Sequence, residues 1–291
     1  MGAIRGPNRA AERAGRLALI WLLLAGLVTA CRGTDRDEGT RARTPTPAPA
    51  PTTSPLPDPS ERCGLPGPGA KAVWFEATDG TLLDGAFVGS GNSGVVLAHE
   101  YPADLCGWWP FATYLARRGF LVLAFDFRCF GLATCPDDAT GDLTDDVRGA
   151  EAELRRAGAT SVALAGASLG GTVTLMAAGS MDPPPDAVVC LSGEPDLGYL
   201  VGSTKLDAQS AVPRMTSPSL FVVAREDRNV SVPDMRGLYR AAGSKDKRLV
   251  VLPVSFGHGW NILSRPSRVG SPRRPERCST SSGRTGDGGD P

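Results

Sequence analysis

The chain has 291 residues, with 31 basic and 31 acidic side chains and only two histidines, His99 and His258. That length suits one large domain or two small ones, and the balanced charge gives no reason to expect nucleic acid or a polyanionic partner. Two histidines and no Cys-x-x-Cys pair leave no basis for a structural zinc site, and no metal or organic cofactor is expected.

Residues 1–30 read as an export signal. Arg5, Arg9, Arg13 and Arg16 form a basic region ahead of an apolar core, Leu17 to Val28. That core is shorter than the roughly 20 residues a spanning helix needs. It ends in Val28-Thr29-Ala30-Cys31, small residues before a cysteine that resemble a bacterial lipobox. The expectation is cleavage and lipidation at Cys31. An ordinary secretory signal and an uncleaved anchor are the alternatives. All three place the following domain outside the cytoplasm, where disulfides are permitted. Residues 31–63 contain TPTPAPAPTTSPLPDP, a Pro/Thr/Ala-rich stretch that favours an extended chain and builds no core. It reads as a disordered tether between a lipid anchor and the domain.

The pattern changes over residues 64–263. Val73–Ala77 and Leu82–Val88 predict a hairpin turning at Asp79-Gly80. Continuous apolar runs follow at Val95–Ala98, Phe120–Phe125, Val162–Ala165, Ala187–Leu191, Leu220–Ala224 and Arg248–Leu252. Runs without alternation suit strands buried on both faces of a parallel sheet. Helical patterns lie between them at Trp108–Arg118, Leu143–Ala157, Leu169–Ala178 and Val232–Ala242, with Asp142 as an N-cap. Alternating strands and helices mean an α/β fold with a mostly parallel central sheet flanked by helices. Ligands of such sheets bind beyond the carboxyl ends of the strands. Residues 264–291 revert to Gly, Pro, Arg and Ser, a composition expected to be disordered.

The chemistry concentrates at Gly166-Ala167-Ser168-Leu169-Gly170. The motif follows a predicted buried strand and opens an apolar helix, the setting in which Gly-x-Ser-x-Gly exposes a nucleophilic hydroxyl on a tight turn. A serine hydroxyl needs a base, and His258 follows the last strand in Phe256-Gly257-His258-Gly259-Trp260. A carboxylate must orient that base. Asp227 follows the Leu220–Ala224 strand, with Glu226, Glu194 and Asp196 as rivals. The order Ser, Asp, His assigns attack to Ser168, proton transfer to His258 and imidazole orientation to Asp227. The oxyanion donors are expected to be the N–H groups of Leu169 and Tyr101, with Glu100 as the rival to Tyr101. His99, at the end of the Val95–Ala98 strand, is expected to brace that loop.

These residues resemble the α/β-hydrolase superfamily, of the dienelactone-hydrolase-like or serine-aminopeptidase-like kind. The resemblance runs from about Val73 to Leu263. It rests on His99, Gly107-Trp108-Trp109-Pro110, Leu115 to Phe120, Asp126-Phe127-Arg128, Gly166 to Gly171, Asp227 and His258-Gly259-Trp260. It implies the α/β-hydrolase fold with little or no lid, and a serine hydrolase acting on a small-molecule carboxylic ester, or less readily an amide or peptide, through an acyl-enzyme. A catalytically silent binding lipoprotein on the same fold is the alternative, and the chain names no protein partner. Three departures stand out. Glu100 replaces the glycine usual after His99, Cys129-Phe130 interrupts the usual Arg-Gly-x-Gly, and no full helix follows Trp260, which leaves one sheet face partly bare. The pocket is expected to be open and shaped by Trp108, Trp109, Tyr101 and Leu197–Val212, with simple packing as the alternative for the tryptophan pair and for Trp260. Among the cysteines, Cys190 is expected to be buried, a Cys106–Cys135 bridge is possible, and Cys63 is the alternative partner for either.

Overall fold

The computed structural model describes residues 55–136, 141–200, 204–253 and 256–263. The signal segment with Cys31, most of the tether and the 264–291 tail lie outside the described residues.

The chain enters through a short helix, α1 (Pro59–Arg62), whose start is capped by the Asp58 side chain. The hairpin follows as β1 (Lys71–Glu76) and β2 (Leu82–Gly89), antiparallel as expected. Next come β3 (Ser93–Ala98), α2 (Trp109–Ala116), β4 (Leu121–Phe125), α3 (Leu143–Arg156), β5 (Ser161–Ala167), α4 (Leu169–Ala178) and β6 (Ala187–Leu191). The remaining elements are β7 (Asp196–Gly198), β8 (Leu206–Asp207), α5 (Ala208–Ala211), β9 (Ser219–Ala224), α6 (Val232–Ala241) and β10 (Lys247–Leu252).

Eight strands form one sheet in the order β1-β2-β4-β3-β5-β6-β9-β10. From β4 to β10 every neighbouring pair is parallel, and only β2 runs against its neighbours. The helix boundaries have local causes. Asp142 accepts from Thr144 N–H at 2.8 Å at the start of α3. That helix carries Asp145 and Asp146 in its first turn and Arg155 and Arg156 in its last, the arrangement its dipole favours. A capping box of Ser231 and Asp234 opens α6.

Alternate side chains of the strands serve opposite faces. On one face Val96, Leu123, Phe125 and Leu164 pack under α3 and α4, and Cys190, Phe221 and Val223 pack under α4 and α6. Each fully buried side chain of this size contributes about 1.5–3 kcal/mol. On the other face α2 covers Val95, Leu97 and Val122. Beyond its reach Val189, Leu220, Val250 and Leu252 are only partly buried. Among the described residues only a 3₁₀ turn, Gly259–Leu263, follows His258.

Three expectations need correction. The ordered chain begins before residue 64, because α1 is fastened to the sheet. Arg62 donates to Asp84 and Asp126 at 2.6 Å each, and these carboxylates are 1% and 0% exposed. The bridges are Cys63–Cys106 and Cys129–Cys135, not Cys106–Cys135. The α1 turn brings Cys63 to Cys106, while Cys129 and Cys135 close a tight loop after β4. Trp108 and Trp109 shape no pocket. Both are fully buried, and their indole N–H groups donate to the carbonyls of Ala98 at 2.9 Å and Leu65 at 2.6 Å. Cys190 is free and buried, as expected.

Candidate active site

Ser168 sits between β5 and α4 with φ +48° and ψ −117°. Positive φ is costly for a side-chain-bearing residue and persists only where its surroundings enforce it. The enforcement is visible. Ser168 N–H donates to Leu191 C=O at 2.9 Å and Gly170 N–H to His99 C=O at 3.0 Å. The flanking glycines are required sterically. A Cβ on Gly166 would stand 2.1 Å from the Gly170 carbonyl oxygen, and one on Gly170 would stand 2.2 Å from that of Ala98. The turn therefore packs β5, α4 and the end of β3 too closely for any larger residue. The Leu169 N–H belongs to the first turn of α4, where helix geometry leaves donors without an internal partner.

Asp227 and His258 meet from loops after β9 and β10. His258 Nδ1 lies 2.8 Å from Asp227 Oδ1 and 2.9 Å from Oδ2, and the Asp227 side chain is wholly shielded. Asn229 and Val230 N–H groups also donate to Asp227, at 3.0 and 3.2 Å. Burial alone would raise the Asp227 carboxyl. Hydrogen bonds from His258 and from the Asn229 and Val230 N–H groups, with the nearby Ser192 side chain, outweigh it and hold the group below its ordinary value. Burial alone would lower His258. The Asp227 bond and charge, joined by the charges of Glu100 and Glu194, outweigh it and hold the imidazole above its ordinary value. With Nδ1 committed to Asp227, Nε2 is the basic atom. It is buried and has no hydrogen-bond partner among the described residues. Among the described residues Ser168 makes no hydrogen bond to it. The two loops nonetheless touch, since a Cβ on Gly259 would stand 3.5 Å from Ala167 Cβ.

The rival acids are placed elsewhere. Glu226 is exposed, and Asp196 pairs with Lys205. Glu194 is half-buried and acts on His258 through charge only.

His99 braces the loop after β3. It is fully buried. Its Nε2 accepts from Phe127 N–H at 3.1 Å, which assigns the proton to Nδ1, 2.9 Å from Glu100 C=O. Burial lowers its pKa despite the Glu100 carbonyl and the nearby carboxylates, so it stays neutral. Tyr101 follows on that loop with half its surface exposed.

Ser192 escaped the sequence analysis, and Glu100 entered it only as a departure and a rival backbone donor, not for its side chain. Ser192, with φ +52° after β6, faces Asp227, and its only sequence signal is its place after a strand. Glu100 reaches the His258 turn, donating none of its own protons but accepting from Trp260 N–H at 3.4 Å. Among the described residues no group of three or more His, Cys, Asp or Glu side chains is placed to hold a metal ion.

Comparison with known proteins bears on the fold. A model described as the alpha/beta hydrolase family matches residues 95–209. A curated relative, the uncharacterized protein YfhR of Escherichia coli strain K12, is 26% identical over 206 residues, covering 63% of this chain and 72% of that protein. The esterase Pf2001 of Pyrococcus furiosus superimposes with a TM-score of 0.58 at 17% identity, covering 68% of this chain and 85% of that one. The esterase EaEST of Exiguobacterium antarcticum gives 0.55 at 19% identity, covering 66% and 94%. The chain has the α/β-hydrolase fold.

Proposed function

We propose that this protein is a serine hydrolase that cleaves a carboxylic ester of a small molecule through an acyl-enzyme. The observation that carries the reading is a serine held at positive φ on a strand-to-helix turn, at the same carboxyl edge of the parallel sheet as the Asp227–His258 pair. Ser168 Oγ attacks the ester carbonyl as His258 Nε2 takes its proton. The carbonyl oxygen becomes an oxyanion, received by the N–H groups of Leu169 and Tyr101. His258 returns the proton to the departing alkoxide, and the alcohol leaves. A water, deprotonated by the same nitrogen, then attacks the acyl-serine and releases the acid. Asp227 remains ionised and stabilises the imidazolium. The esterases among the similar folds support an ester over an amide or peptide.

The same reading places the enzyme outside the cytoplasm, anchored to the membrane by a lipid on Cys31. That rests on the basic region, apolar core and lipobox-like run of residues 1–31. Among the described residues no helix is long and apolar enough to cross a membrane.

The test is hydrolysis of p-nitrophenyl esters of graded acyl length, with mass analysis of the quenched enzyme. A burst of nitrophenolate and an acyl mass on the Ser168 peptide are expected. Turnover unaltered in Ser168→Ala would refute the assignment.

A further inference from the structure

Glu100 departs from the residue usual at its position, and the structure shows what it touches. Its Oε2 accepts from Trp260 N–H at 3.4 Å across 160 residues of sequence. It also lies against Gly259, where an added Cβ would stand 1.8 Å from it. Gly259 has φ +55°, so the backbone beside His258 turns in a left-handed conformation that leaves room for the carboxylate. The opposite end of Glu100 is also held, since its carbonyl oxygen faces His99 Nδ1 at 2.9 Å. One residue thus joins the loop of the proposed oxyanion donor to the turn of the proposed base.

We propose that Glu100 is a positioning residue for the base: its carboxylate clasps the Gly259–Trp260 backbone to the loop after β3, and its negative charge stabilises the His258 imidazolium. The inference rests on the assignment of His258 as the base. The carboxylates acting on His258 are Asp227, which is hydrogen-bonded to it, and Glu100 and Glu194, which act through charge. Burial raises the Glu100 carboxyl, the His258 charge and the Trp260 N–H lower it, and the Asp227 charge raises it. Asp227 holds the ring from Nδ1, and Glu100 holds the backbone that follows it. The imidazolium formed during acyl transfer is therefore met by a second fixed negative charge. In the resting state the same charge favours protonated His258, so removing it frees the base at lower pH.

The test uses the full chain. With two histidines in the sequence, the His258 ring-proton resonance is assigned by its loss in His258→Gln and titrated by NMR. Glu100→Gln keeps an oxygen for the Trp260 N–H and removes the charge. Its His258 midpoint is expected to fall by about half a unit to one unit, and the acidic limb of kcat/KM on a neutral p-nitrophenyl ester should move with it. Glu100→Ala also removes the clasp, and kcat should fall about tenfold with KM within about twofold. A His258 midpoint unmoved in Glu100→Gln overturns the electrostatic role, and an unchanged kcat in Glu100→Ala overturns the clasp. If no ester is hydrolysed while the midpoint still moves, the proposed reaction fails and the Glu100–His258 coupling stands.

Discussion

Both oxygens of the Asp227 carboxylate stand within 2.9 Å of His258 Nδ1, so one shielded side chain fixes both the rotation and the tautomer of the imidazole. Asp227→Asn keeps the shape but offers an amide that favours the wrong tautomer. The expected outcome is a fall in kcat of about 10³–10⁴-fold with KM little changed. Glu226→Gln, on the exposed neighbouring side chain, should retain full activity. Steady-state kinetics of the two variants on one ester checks the pair.

The raised pKa of His258 sets a pH dependence. The base must be neutral, so kcat/KM should rise with pH through an apparent pKa above the ordinary histidine value of about 6.5. The stability linkage runs the other way. A folded-state pKa above the unfolded one stabilises the protein fully below the unfolded value, and that contribution is lost as pH rises through the folded value. In Asp227→Asn both effects should shrink. Thermal unfolding and kinetics over pH 5–9 read them together.

Glycines in two settings predict opposite signs for the same substitution. Gly170→Ala drives a methyl to 2.2 Å from the Ala98 oxygen and should cost about 3 kcal/mol or more. Gly237→Ala, within α6, meets only Gln209 Oε1 at 3.7 Å. It should stabilise by about 0.5–1 kcal/mol through helix propensity. Denaturant titrations of both variants decide the matter.

Arg62 neutralises two carboxylates that have almost no contact with water. Arg62→Met leaves Asp84 and Asp126 buried together without their cation, at an expected cost of about 3–5 kcal/mol. Burial and the Asp126 charge already push Asp84 up to about 7. The unpaired variant should therefore regain stability as pH falls and Asp84 protonates. Unfolding free energies at pH 5 and pH 8 check the sign.

The bridge pairing and Cys190 make a chemical prediction. Peptide mapping under non-reducing conditions should recover Cys63 with Cys106 and Cys129 with Cys135. Burial pushes the Cys190 thiol up to about 12, so iodoacetamide should modify it only after unfolding.

Much of this architecture was legible in the sequence because its signals are local. The strands at Ala187–Leu191 and Leu220–Ala224 are continuous apolar runs, Asp142 marks a helix start, and the glycines around Ser168 mark a turn only small residues can make. Asp227 and His258 followed from chain order and from the scarcity of histidines. What escaped depends on distant contacts. Trp108 and Trp109 looked like pocket walls because a tryptophan does not announce its depth. Here the Trp260 ring closes over Gly107 and stands edge-on to Trp108, sealing that cluster. Arg62 follows a proline-rich run with no periodicity, so its two buried partners could not be inferred. The β7–β8 pair is too short to show alternation. Glu100 was visible as a departure, but its reach to Trp260 spans the whole domain.

The central claim is that Ser168 is activated by His258, and reaction of the folded chain with a fluorophosphonate probe tests it most directly. The account predicts stoichiometric labelling on Ser168, lost in Ser168→Ala and reduced at least about a hundredfold in rate in His258→Ala. A folded protein that takes up no probe, or one labelled equally well in both variants, would contradict it.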